Sequence, residues 1–158
     1  MASNPQIILI DGPAGSGKTT LSNKLSSELN CQVVHLDDHY NGWDEALSSD
    51  LTKVLLHIVE SFVNGRASVV PTYNWHLAKF EGNKEISAAE TLIIEGVGSG
   101  QRQIRPFASK LYWVETEPEI GLARVLERDG AEYEERIKAW QMREANHFQV
   151  EQIGRAHV

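Results

Sequence analysis

From Gln6 onward the chain alternates two textures. Short β-branched runs, "QIILI", "CQVVHL", "ASVVP", "TLIIE" and "KLYWVE", are separated by longer stretches in which apolar residues return every three or four positions. The clearest helix follows Asp50, where Leu51, Val54, Leu55, Ile58, Val59, Phe62 and Val63 form one stripe and Gly65 supplies a stop. A second is announced by "TEPE", with Thr116 and Glu119 at capping-box spacing and Pro118 in the first turn. It runs to Gly130 with Leu122, Val125 and Leu126 as its core stripe. The strand runs are continuously apolar, the pattern of strands covered by helices on both faces. An α/β fold with a central parallel sheet follows. The final "GRAHV" reads as the opening of another strand, and the expected sheet has five strands with the last incomplete.

Composition narrows the setting. The 158 residues fit one domain, 1–158, and neither a repeat nor a Pro/Gly/Ser linker divides them. Twenty-two acidic against fifteen basic side chains leave a net charge of -7, which does not recommend a nucleic-acid or anionic-membrane partner. Any phosphate site must therefore be local. The single cysteine, Cys31, cannot close an internal disulfide, and no signal peptide or long apolar span is visible. A soluble cytoplasmic protein is expected.

The first strand runs into "DGPAGSGKTTL". Gly12, Gly17, Lys18 and Thr19 satisfy G-x-x-x-x-G-K-[ST] between a strand and a helix, "KTTLSNKLSSEL", the context that motif needs. Its glycines let backbone N–H groups line an anion cavity, and the helix adds the positive end of its dipole. Gly12, Pro13, Ala14, Gly15, Ser16, Gly17, Lys18, Thr19 and Thr20 are thus expected to cradle a nucleotide's phosphates. Lys18 would reach the β- and γ-phosphates, and the Thr19 hydroxyl would ligate Mg²⁺.

Other residues choose among phosphate-loop proteins. A guanine-specific switch would show N-K-x-D, and "NKLS" and "NKEI" both lack the aspartate. A motor ATPase would need a second helical subdomain for which the chain has no room. "GVGSG" has G-x-G-x-G spacing rather than the dinucleotide G-x-G-x-x-G, and the six histidines form no HExxH zinc pattern. A phosphoryl acceptor needs a carboxylate to take its proton. Asp37 and Asp38 stand where ligands of open α/β sheets collect, although an Asp pair also caps turns. Glu95, ending "LIIE", offers a carboxylate for Mg²⁺. Arg136, Trp140, Arg143 and His147 share one helix face, which reads as solvated rather than as a site border.

In these motifs the chain resembles the uridine kinase-like branch of the nucleoside monophosphate kinase fold, which includes uridine-cytidine and nicotinamide riboside kinases. The resemblance covers nearly the whole chain, through the Gly12–Thr19 loop, "LDDHY", "PTYNW", "IIEG", "IRPFASKLYWVETEPE" and "RVLERD". It implies an ATP- and Mg²⁺-dependent kinase acting on a hydroxyl of a small molecule. It places the general base on Asp37, with Asp38 in reserve, and transition-state arginines on Arg124 and Arg128 of a short lid near 124–136. Their i,i+4 spacing sets both guanidiniums on one helix face. Asp38, Tyr73, Asn74 and Trp75 are expected at the acceptor.

The chain also departs from that pattern. Asn74 stands where the family has Asp, and its later histidine and arginine fall on Ala78 and Phe80, so a non-pyrimidine acceptor is expected. Two rival readings remain: an ATP-hydrolysing module that gates a protein partner, and a nucleoside monophosphate kinase, which would want further arginines around the acceptor phosphate.

Overall fold

A computed structural model describes residues 5–154. Strands β1 (Gln6–Asp11), β2 (Gln32–His35), β5 (Thr91–Glu95) and β6 (Lys110–Trp113) form a parallel sheet in the order β2-β5-β1-β6. The pairing is in step, with Ile8 opposite Ile93 and Lys110, so the carboxyl ends of β1, β2 and β5 emerge at one edge. Helices α1 (Lys18–Leu29), α2 (Ser49–Val63), α3 (Pro118–Asp129) and α4 (Glu134–Glu151) complete the α/β layers.

The continuous apolar runs serve both faces of that sheet. Ile7, Leu9, Val34, Leu92 and Ile94 pack with Leu55, Ile58 and Phe62 of α2 and with Trp140 of α4. Ile8, Ile10 and Ile93 turn the other way, toward Leu21 and Leu25 of α1. Helix α2 closes as its sequence predicts: Arg66 N–H donates to Ser61 O at 2.9 Å and Gly65 N–H to Phe62 O at 3.0 Å, a Schellman motif with Gly65 at φ +72°.

Three corrections follow. "ASVVP" is β-structured but stands outside the parallel sheet: β3 (Ser68–Asn74) pairs antiparallel with β4 (Lys79–Ile86), an unforeseen strand. Val70 is buried while Val69 is 55% exposed, so this run has one dry face, and Pro71 lacks the N–H a central strand would donate. The capping box at Thr116 does not form; α3 starts at Pro118 after Glu117, with no side-chain cap. The α4 face expected in solvent is covered only in part: Trp140 is core and His147 half-buried, while Arg136 and Arg143 are exposed. Of the four described parallel strands, β6 ends the sheet; of the strand expected to open at "GRAHV", 154–158, all but Gly154 lies outside the described residues.

Candidate active site

The turn from β1 into α1 is folded through positive φ at Gly12 (+150°), Gly15 (+77°) and Gly17 (+104°). Two of these glycines are also pressed against protein: a Cβ on Gly12 would lie 2.2 Å from Val114 O, and one on Gly15 2.5 Å from Gly121 O. A Cβ on Gly17 would meet nothing within 4 Å, so there the demand is for backbone conformation alone. Lys18 is buried, and its ammonium reaches back across the loop to donate to Pro13 O at 2.8 Å and to Ser16 Oγ at 3.5 Å. Burial lowers its pKa, while the carboxylates of Asp11, Glu144, Glu95 and Asp37 oppose that shift. Thr19 and Thr20 are exposed in the first turn of α1.

Beside the loop, Thr19 Oγ1 donates to Glu95 Oε2 at 3.4 Å, bringing together the two residues expected at a metal. A hydroxyl and a buried carboxylate are hard oxygen donors, the ligand type that Mg²⁺ takes. The other Glu95 oxygen lies 2.8 Å from His35 Nδ1, a partner the sequence reading did not identify. That hydrogen bond raises the histidine's pKa.

Asp37 and Asp38 lie in the 3₁₀ turn that follows β2. Asp37 lines a cleft of ≈ 680 Å³ with Ala14 of the loop, Trp43, Trp75, Arg128 and Trp140. The residue is exposed on its cleft side, yet protein crowds its carboxyl; that desolvation, helped by Glu95, raises its pKa, and Lys18 and Arg128 pull it back. Asp38 is exposed and does not line this cleft.

The two arginines expected in a lid separate. Arg124 Nη1 donates to Gly15 O at 3.1 Å, directly on the loop. Arg128 faces the cleft and is tethered to Asp129 at 2.8 Å. In the β3–β4 hairpin, Trp75 Nε1 donates to Asp37 O at 2.9 Å, so the indole walls the cleft and supports the turn of the candidate base. Asn74 Oδ1 accepts from the His76 and Leu77 amides, both at 3.0 Å, and so shapes the hairpin turn. Tyr73 stacks edge-on against Trp75 and Phe80 and lines a neighbouring hollow, outside the residues that line the main cleft.

Two buried carboxylates escaped the sequence reading. Asp11, the last residue of β1, accepts from Gly12 N–H at 2.7 Å, Gly98 N–H at 3.2 Å and Gly100 N–H at 2.9 Å, and burial pushes its pKa up to about 6. "GVGSG" thereby finds its role: its amides hold the strand end from which the loop departs. Glu144 of α4 accepts from Ala14 N–H at 3.1 and 3.3 Å, and burial pushes its pKa up to about 7. The signal for Asp11 was its place at the end of an apolar strand. For Glu144, a polar residue in a polar helix, there was none.

Residues 8–149 match a family model described as an AAA domain. A uridine kinase from Limosilactobacillus reuteri is 25% identical over 146 residues, covering 81% of this chain and 66% of its own. The uridine kinase-like protein 5 of Arabidopsis thaliana is 24% identical over 145 residues, covering 81% of this chain and 31% of its own. The chain thus spans less than two thirds of the length of these relatives. Among solved structures, a possible uridine kinase from Bacillus stearothermophilus superposes with a TM-score of 0.67 at 20% identity, covering 96% of this chain and 85% of that one, a likeness of fold.

Proposed function

The chain belongs to the AAA domain family, and on that premise we propose that it is an ATP- and Mg²⁺-dependent kinase that phosphorylates a hydroxyl of a small molecule in the cytoplasm. The observation that carries this reading is one of placement. At a single sheet edge, the phosphate loop and the Thr19–Glu95 pair adjoin an aromatic-walled cleft into which Asp37 faces. A motor or switch has no use for a second-substrate cleft with a carboxylate beside its phosphate loop. The uridine kinase names of the relatives point the same way.

In this mechanism the loop amides and Lys18 bind and orient the β- and γ-phosphates. Thr19 and Glu95 would hold Mg²⁺, which when bound supplies neutralising charge to the phosphates. Asp37 accepts the proton of the acceptor hydroxyl as its oxygen bonds to the γ-phosphorus, and the bond to the β–γ bridging oxygen breaks. Arg124 and Arg128, in a lid near 124–136, neutralise the charge that spreads over the transferring group. The walls of the cleft exclude water, which would otherwise compete with the acceptor.

The test is an ATP-consumption screen over nucleosides, vitamins, sugars and amino alcohols, with Lys18→Ala as control. Acceptor-dependent ADP release that Lys18→Ala abolishes, with the fold intact by circular dichroism, is expected. Slow ADP release that no acceptor stimulates would favour a nucleotide-gated module and overturn the kinase reading.

A further inference from the structure

We propose that Glu144 is a positioning residue: from α4, it braces the Ala14 amide and so presets the leading half of the phosphate loop for nucleotide. The inference rests on the nucleotide-binding part of the function proposed above and is independent of the acceptor.

The geometry is specific. Both carboxylate oxygens of Glu144 lie within hydrogen-bond reach of Ala14 N–H, at 3.1 and 3.3 Å, across 130 positions of sequence. The side chain is only 4% exposed, in a helix whose neighbouring positions Arg143 and Ala145 are exposed. A carboxylate is costly to bury unless it is hydrogen-bonded, and here its backbone partner belongs to the loop.

The rest of the loop's leading half is held by contacts from within the loop and its flanks. Asp11 takes Gly12 N–H, Pro13 has no N–H to satisfy, and Pro13 O receives Lys18 Nζ and Ser16 N–H. Ala14 N–H would be the loose point, and Glu144 secures it. The same helix contributes Arg136, Ile137 and Trp140 to the wall of the cleft, so one rigid element sets both the loop and the acceptor side. An anion cradle bound in its finished shape avoids the ordering cost that a mobile loop incurs on binding.

The experiment measures the dissociation constant of Mg²⁺ and a non-hydrolysable ATP analogue for the full chain and for Glu144→Gln, Glu144→Asp and Glu144→Ala, with a melting temperature for each. Glu144→Gln keeps an oxygen able to accept from Ala14 and is expected to retain most of the affinity. Glu144→Ala loses the acceptor and Glu144→Asp falls short by a methylene; each should bind about tenfold or more weakly, the scale of a hydrogen bond to a charged group. Equal affinity in all folded variants, whatever their melting temperatures, would overturn the proposal by reducing Glu144 to a structural contact. So would a Glu144→Gln loss as large as that of Glu144→Ala. If the unaltered chain fails to bind the analogue, the nucleotide reading falls and this inference with it. If the chain binds the analogue but no acceptor is phosphorylated, the kinase reading alone falls.

Discussion

Asp37 sits between opposing influences. Crowding by protein and the nearby Glu95 charge raise its pKa, and Lys18 and Arg128 lower it; the net shift is upward from the ordinary aspartate value of 3.8. A base must be deprotonated to act, so kcat/KM should rise with pH through an acid limb placed above the ordinary aspartate range. Asp37→Asn should remove that limb and lower kcat by about 10² to 10⁴, the usual worth of a general base, with little change in ATP affinity. A pH–rate profile with parallel nucleotide titrations checks this, and the same behaviour in Asp38→Asn instead would move the base one position along. The positions of the loop, of Glu95 at the end of β5 and of Asp37 in the turn after β2 were legible because each belongs to a local strand–turn–helix context. Glu144 was not, because its meaning comes from an amide 130 positions away that no periodicity records.

At the scale of elements, helix α1 is legible end to end, from "KTTLSNKLSSEL" to Lys18–Leu29, and α2 to its glycine stop. Strand β4, "KFEGNKEI", is not legible: it is exposed almost throughout and lacks the apolar alternation that marks a half-buried strand, so only its partner β3 betrays it. The docking of α3 was also hidden. Gly121 lies in the first turn of α3, and within a helix glycine usually costs up to about 1 kcal/mol against alanine. Its use is close approach, since a Cβ there would stand 2.6 Å from Ala14 O, and one on Gly15 would stand 2.5 Å from Gly121 O. The pair brings α3 against the loop and sets Arg124 on Gly15 O. Gly121→Ala should therefore improve the helix locally yet force α3 away from the loop. Turnover is expected to fall about tenfold or more, the sensitivity of a positioned transition-state group to misplacement, with far-ultraviolet circular dichroism unchanged. Ala123→Ser, at an exposed position of the same helix, serves as the control and should leave turnover as it was. Full activity in Gly121→Ala would mean that Arg124 does not depend on this contact.

At the scale of the whole molecule, the cleft proposed to take the acceptor has aromatic walls, Trp43, Trp75, Tyr133 and Trp140, and is also lined by Arg128, Arg136 and Asp37. Relatives are named uridine kinase and uridine kinase-like protein, yet the hairpin of this chain has few polar groups free to meet a nucleobase. Ala78, at φ +52° in the hairpin turn, and Phe80, packed edge-on against Tyr73, offer no donor to a pyrimidine edge. The Asn74 side-chain oxygen is occupied by two turn amides, and the Trp75 N–H by Asp37 O. A site that recognises a base through hydrogen bonds loses up to about 10⁴ in discrimination when its polar partners are missing. The flat aromatic walls and two guanidiniums suit a planar or anionic hydroxyl compound instead, held by stacking and by charge. Uridine and cytidine are accordingly expected to be phosphorylated at least about 100-fold less efficiently, in kcat/KM, than the preferred acceptor, a small part of the range such losses reach. Steady-state kinetics on both nucleosides beside the best compound from the acceptor screen decide the matter. Uridine turnover with a KM in the range of about 1 to 100 μM, ordinary for an enzyme and its own substrate, would return the cleft to a pyrimidine nucleoside.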